Sequence, residues 1–113
     1  MSIRDSILAQ TALPTVPVSV PEWGANLSVR SMTAAERDDF DAASRDGGEA
    51  NLTNFRARLV VRCLIDATGD RVFTDADAAA VGALPAGPVC KVFEAAAKLN
   101  GLTKEDVEEI EGN

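Results

Sequence analysis

The sequence predicts a mainly helical α+β fold, a single domain over residues 1–113, with one N-terminal β-hairpin packed on about four helices. Three observations predict it. Val16, Val18 and Val20 alternate with Pro17, Ser19 and Pro21, and after the turn Pro21-Glu22-Trp23-Gly24 the alternation returns in Leu27 and Val29, the period of half-buried strands joined by a turn. Downstream, capping signals repeatedly precede apolar residues at three- and four-residue spacing, the pattern of helices with one buried face. A hairpin is marginal alone in water and needs helices to lie against. At 113 residues and 46% hydrophobic the chain is long enough to bury a core.

Taken in order, residues 1–14 carry Ile3, Ile7 and Leu8, enough for one short amphipathic turn, before Pro14 breaks it. A loosely ordered segment is expected there. The hairpin follows, and because Pro17 and Pro21 donate no ladder hydrogen bond, its first strand belongs at a sheet edge. Thr33-Ala34-Ala35-Glu36 is a capping box opening a polar helix with Asp38, Asp39 and Asp41, anchored by Phe40 and ending before Gly47-Gly48. Residues Ala50–Ala67 give the strongest helical signal. Leu52, Phe55, Leu59 and Cys63 share one face, and Val60, Val61, Leu64 and Ile65 widen it until it nearly encircles the last turns, which predicts a central helix. Its exposed side is expected to carry Arg56, Arg58 and Arg62, with Gly69 as a left-handed stop. Arg71-Val72-Phe73 reads as an extended connector and Thr74-Asp75-Ala76-Asp77 as the cap of a small Ala-rich helix ending before Pro85. Pro88 suits the first turn of a further helix with Val89, Val92, Phe93 and Ala96 inward, closed by Asn100-Gly101. Thr103 caps a last, acidic helix over 103–113, with Val107 and Ile110, that is expected to fray.

The net charge of −7 argues against affinity for nucleic acid or an anionic membrane, since phosphate binding needs a basic face. A basic or apolar protein partner suits this surface better. No apolar run reaches the ~18 residues of a membrane span, and MSIRDSILAQ lacks a signal-peptide core, so a soluble protein that stays where it is made is expected. Cys63 and Cys90 lie within apolar runs and read as reduced core thiols. The chain has no histidine, which removes the commonest acid–base catalyst and transition-metal ligand together.

Few constellations carry chemistry. Asp66-Ala67-Thr68-Gly69-Asp70 resembles the start of a calcium loop, but the sixth and twelfth positions are Arg71 and Asp77 where such a loop needs Gly and a bidentate Glu. A turn between two caps is the better reading. The pairs Asp38/Asp41 and Glu105/Glu109 lie on the most polar helices and read as solvated faces, whereas acid–base work needs a desolvated carboxyl in a cleft. No nucleophile elbow, Gly-rich phosphate loop or CxxC occurs. Neither enzyme, cofactor nor metal site is predicted. The arginines Arg56, Arg58 and Arg62 could grip phosphate, but ion pairing within the protein or between subunits is the preferred role. Trp23 either covers the hairpin's open end as core or stands out as an anchor for a partner. The candidate partner-binding residues are therefore Pro21, Glu22, Trp23 and Gly24 of the turn, with Arg56, Arg58 and Arg62.

VPVSVPEWGANLSVRSMTAAER, then LIDATGDRVFTDAD, then VFEAAAKLNGL together resemble the tail assembly chaperone family of long-tailed bacteriophages and prophages. The shared features are a V-x-V-P-E-W-G hairpin running into V-R, a T-x-x-E-R helix start, a D-x-x-G-x-x-V-F-T-x-x-D corner and an Ala-rich helix ending L-N. They span Ile7 to Leu102. The resemblance implies a small non-catalytic protein of the host cytoplasm, absent from the finished tail, that binds the tape-measure protein and keeps it soluble until tube subunits polymerise. It leaves the tail-tube protein and self-association open as further contacts. It also implies that this chain is the short form of a pair whose longer form arises by frameshifting near 103–113. The rival readings are a minor tail or head–tail joining protein retained in the virion, and a small acidic enzyme or host-takeover regulator.

Overall fold

A computed structural model describes residues 2–46, 49–51 and 53–102. The hairpin lies where the alternation placed it. Strand β1 (Thr15–Val20) pairs antiparallel with β2 (Gly24–Arg30), Val16 opposite Val29 and Val18 opposite Leu27. The Trp23 amide closes the turn on the Val20 carbonyl at 2.9 Å, and Gly24 takes φ 127°, a backbone only glycine adopts freely. The register then slips between Val18 and Val20, and Asn26, at φ 61°, marks a bulge on β2 that sharpens the local twist. The Ser31 amide donates to the Pro14 carbonyl at 2.9 Å. By the alternation of an antiparallel ladder, Pro14, Val16 and Val18 therefore face β2, and the donor that Pro17 lacks is missing from the free edge.

Helix α2 (Ala34–Ala43) starts on the predicted box. Thr33 Oγ1 accepts from the Glu36 amide at 3.1 Å and Glu36 Oε1 from the Thr33 amide at 2.9 Å. A small ribbon of β3 (Arg45–Asp46) and β4 (Glu49–Ala50), which the sequence did not predict, follows.

The central helix is shorter than its periodicity suggested: α3 spans Phe55–Cys63, not Ala50–Ala67. It begins after Asn54 in left-handed conformation (φ 53°) and ends where Leu64 turns extended (φ −71°, ψ 126°). Leu64 and Ile65 form a third strand, β5, on the far side of β2, so the sheet order is β1-β2-β5. A short apolar run buries equally well as helix or strand, and here the open edge of β2 decides for strand. Gly69, expected as the helix stop, instead sits at φ 88° in the turn from Asp66 to Asp70. Beyond that turn Arg71 bridges back to Ile65 and the Val72 amide donates to the Leu64 carbonyl at 3.1 Å.

The Thr74/Asp77 box opens a 3₁₀ turn (Asp75–Asp77) that runs into α4 (Ala78–Gly82). Helix α5 (Ala86–Leu99) carries Pro88 in its first turn and closes on Gly101 at φ 70°. Val89, Val92, Phe93 and Ala96 of α5 are buried against α3 and the sheet, in one core with Val20, Val29, Leu59, Val60 and Val81. Phe55 joins Phe40 and Phe93 at ring separations of 5.5 and 5.6 Å. The N-terminal helix α1 (Ile3–Leu8) forms with Ile3, Ile7 and Leu8 all exposed, so nothing in the core holds it. The helix expected over 103–113 lies outside the described residues.

Asn100 ties the assembly together. Its Oδ1 accepts from the Met32 amide at 2.7 Å and its Nδ2 donates to the Ala96 carbonyl at 2.8 Å, while its own carbonyl accepts from Arg37 at 2.8 Å. The ends of β2, α2 and α5 therefore meet at one residue.

Candidate functional site

The turn that the sequence singled out forms one wall of an apolar groove. Trp23 and Leu27 of the hairpin face Val72, Phe73 and Leu84, with Leu64 at the floor, around a hollow of about 290 Å³. Trp23 stands edge-on to Phe73, centroids 6.3 Å apart at 83°, a favoured aromatic geometry. It is half-buried: it packs against the core, as foreseen for one of its two roles, and leaves part of its ring facing the groove. Val72 and Leu84 are 43% and 41% exposed, unusual for large aliphatic side chains gathered on one surface.

Each wall is fixed from below. The bulge at Asn26 and the Gly24 turn aim Trp23. Arg71 donates twice to the Val61 carbonyl at the end of α3, at 3.1 and 2.6 Å, and once to Asp75 at 2.7 Å, which sets the Val72-Phe73 wall. That arginine holds the Asp75 carboxyl below the usual carboxylate range. Leu84 is held by its amide donating to Val81 at 3.0 Å. On its other side Leu84 borders a second hollow of about 250 Å³, with Asn54, Arg56, Val89 and Cys90. A Cβ on Gly82 would lie 2.3 Å from Asn54 Oδ1, so glycine there lets the left-handed Asn54 close over α4. Pro21 and Gly24 line a third hollow, on the hairpin itself, while Glu22 is exposed beside them.

The arginines do not form the exposed face that helical spacing suggested. Arg56 is exposed, its guanidinium 5.7 Å from the Phe93 centroid. Arg58 and Arg62 are buried at 9% and 8% exposure. Arg58 donates to the carbonyls of Ala43 and of Asn51, the latter at 2.7 Å, and so caps the negative end of α2. Among the described residues its Nε has no partner, and burial lowers its pKa, with Arg62 adding to the effect. Arg62 donates to the Arg58 carbonyl at 2.8 Å, lies 5.8 Å from the Phe40 centroid and reaches Asp75 at 4.0 Å. Two of the predicted partner-binding residues thus serve the fold, because long arginine stems bury readily when carbonyls await their heads.

Sequence reasoning missed a forked ion pair. Arg30 grips Glu36 in a fork of 2.9 and 2.7 Å. The pair uses the same carboxylate that completes the α2 cap, and Arg30's hydrogen bond pulls the Glu36 pKa to about 2. The only forewarning was Glu36's place in the box. The Asp66 segment forms the turn preferred for it: Asp66 Oδ1 accepts from the amides of Thr68 and Asp70 at 2.9 and 3.1 Å and from the Thr68 hydroxyl at 2.6 Å. Cys63 and Cys90 are both free thiols. Cys63 lies in the core, but Cys90 is half-buried against the second hollow rather than within the core.

The family model for phage tail assembly chaperones matches residues 2–113. The chain belongs to the phage tail assembly chaperone family. Searches of curated proteins and of solved structures returned no match. Membership assigns this tail assembly chaperone a role in building the phage tail through protein partners, in keeping with the family seen in its hairpin and helix-start motifs. Among the described residues, no helix of the chaperone is long and apolar enough to cross a membrane.

Proposed function

We propose that this tail assembly chaperone binds the tape-measure protein through the Trp23 groove and keeps it soluble until tail-tube subunits polymerise around it. The observation that carries the reading is the half-buried Trp23 set against Phe73, with Val72 and Leu84 exposed beside it. This is an aromatic anchor in an apolar recess, the kind of site where binding energy concentrates. A long helical protein with apolar stripes aggregates unless the stripes are covered. Many small chaperones, each making a modest contact, cover them and gain from effective concentration along one chain. Modest contacts also let polymerising tube subunits displace them. The protein acts by binding alone, in the host cytoplasm, and leaves before the virion is complete.

Co-expression with the tape-measure protein tests this. The chaperone raises the soluble fraction of that protein and co-purifies with it. An equally insoluble tape-measure protein with and without the chaperone refutes the reading. Mass spectrometry of purified virions separates it from its rival, since stoichiometric presence would mark a retained structural component.

A further inference from the structure

We infer that the Trp23 groove receives the apolar face of an amphipathic α-helix bordered by Lys or Arg, not an extended strand. The inference rests on the reading of the groove as the partner face and specifies what that face recognises. Both edges of the sheet are closed to a visiting strand. On β1, Pro17 leaves the free edge without a donor where one is needed. On β5, Arg71 bridges to Ile65 and the Val72 amide already occupies the Leu64 carbonyl. A strand binds chiefly through main-chain hydrogen bonds and would meet a ladder broken at Pro17 on one edge and a Leu64 carbonyl already taken on the other. A helix satisfies its own backbone and offers side chains alone, which suits a recess of about 290 Å³, at the small end for any ligand pocket.

Charge sets the flanks. Along the chain acids stand near the groove's walls: Glu22 immediately precedes Trp23, Asp70 lies two residues ahead of Val72, and Asp77 lies four residues past Phe73. Of the nearby cations, Arg71 is turned to the Val61 carbonyl and Asp75, and Arg56 lies beyond Leu84, in the second hollow. An apolar stripe flanked by basic residues meets complementary potential there, and an acidic one is repelled.

Trp23 is the chain's only tryptophan, so its emission reports the groove directly. The probe is a synthetic Trp-free helical peptide with Leu at i, i+3, i+4 and i+7 and Lys on both flanks, titrated into the full-length protein. The expected result is a saturable blue shift, with a Glu-flanked twin about tenfold weaker. That difference should vanish between about 0.1 M and about 1 M salt, where the screening length falls from about 10 Å to about 3 Å. Val72→Asp and Leu84→Asp each weaken binding about tenfold while keeping Trp23 as reporter; both sites are exposed, so the fold tolerates either change. Equal binding by Lys- and Glu-flanked peptides at low salt, equal binding by a Pro-interrupted extended peptide, or no shift at all overturns the inference. If no peptide binds yet the tape-measure protein is still kept soluble, only the groove's chemistry is wrong. If the Lys peptide binds as described and solubility does not improve, the chaperoning target is wrong and the groove's chemistry stands.

Discussion

Glu36 does two jobs with one carboxylate, accepting from the Thr33 amide and gripping Arg30. Its folded pKa of about 2 lies below the ordinary 4.5, so the stabilisation is fully present above about pH 4.5 and is lost as pH falls toward 2. With the side chain 28% exposed, the contribution is about 2 kcal/mol after allowing for screening. Urea melts of Glu36→Gln should show that deficit at pH 7 and little deficit near pH 2. Arg58 is a buried cation whose partners are carbonyls, and Arg58→Met takes its donor from the Asn51 carbonyl and leaves the Ala43 carbonyl with Asn51 Nδ2 alone. A loss of about 2 kcal/mol is expected by thermal melting. Burial pushes the Cys63 thiol up to about 11, so a thiol reagent at pH 8 should label Cys90 first and Cys63 only on unfolding. Little of this residue-level detail was legible in the sequence. The helical wheel placed Arg58 and Arg62 on a polar side, but the carbonyl that awaits Arg58 comes from a segment fifteen residues away. Trp23, by contrast, was legible, because a lone aromatic between Pro and Gly in a turn has few uses.

At the scale of elements, the signals that held were those with a local physical cause. The Thr33 box, the Pro17-blunted edge and the Pro88 helix start each depend on residues a few positions apart, and each lies where it was expected. The signals that failed depended on distant partners. Leu64 and Ile65 continue the helical period of Leu59 and Val60, yet become strand because β2, more than thirty residues earlier, offers Ser28 and Val29 to pair with. The groove followed from that change, since β5 and its return through Arg71 form its floor and wall. Asn100 joins three elements through side-chain and backbone contacts that no spacing predicts. Asn100→Ala strands the buried Met32 amide and should cost about 2 kcal/mol in chemical denaturation, with the secondary structure unchanged by circular dichroism. Replacing Pro17 with Val restores a donor to the outer edge of β1, and light scattering should then show concentration-dependent association that the parent lacks.

For the whole molecule, the net charge is −7, and of the three clustered arginines Arg58 and Arg62 are folded inward while Arg56 is exposed. That suits a binder of basic and apolar protein segments, and the protein should pass through heparin at physiological salt. The core of α3, α5 and the sheet backs the groove's walls, so the groove is a preformed surface. The most direct measurement is the soluble fraction of tape-measure protein co-expressed with the parent chain or with a Val72→Asp/Leu84→Asp variant shown to be folded. Full rescue by the parent and little or none by the variant is the predicted result. Equal rescue by both would contradict the account, because the Trp23 groove would then not be the surface that does the chaperoning.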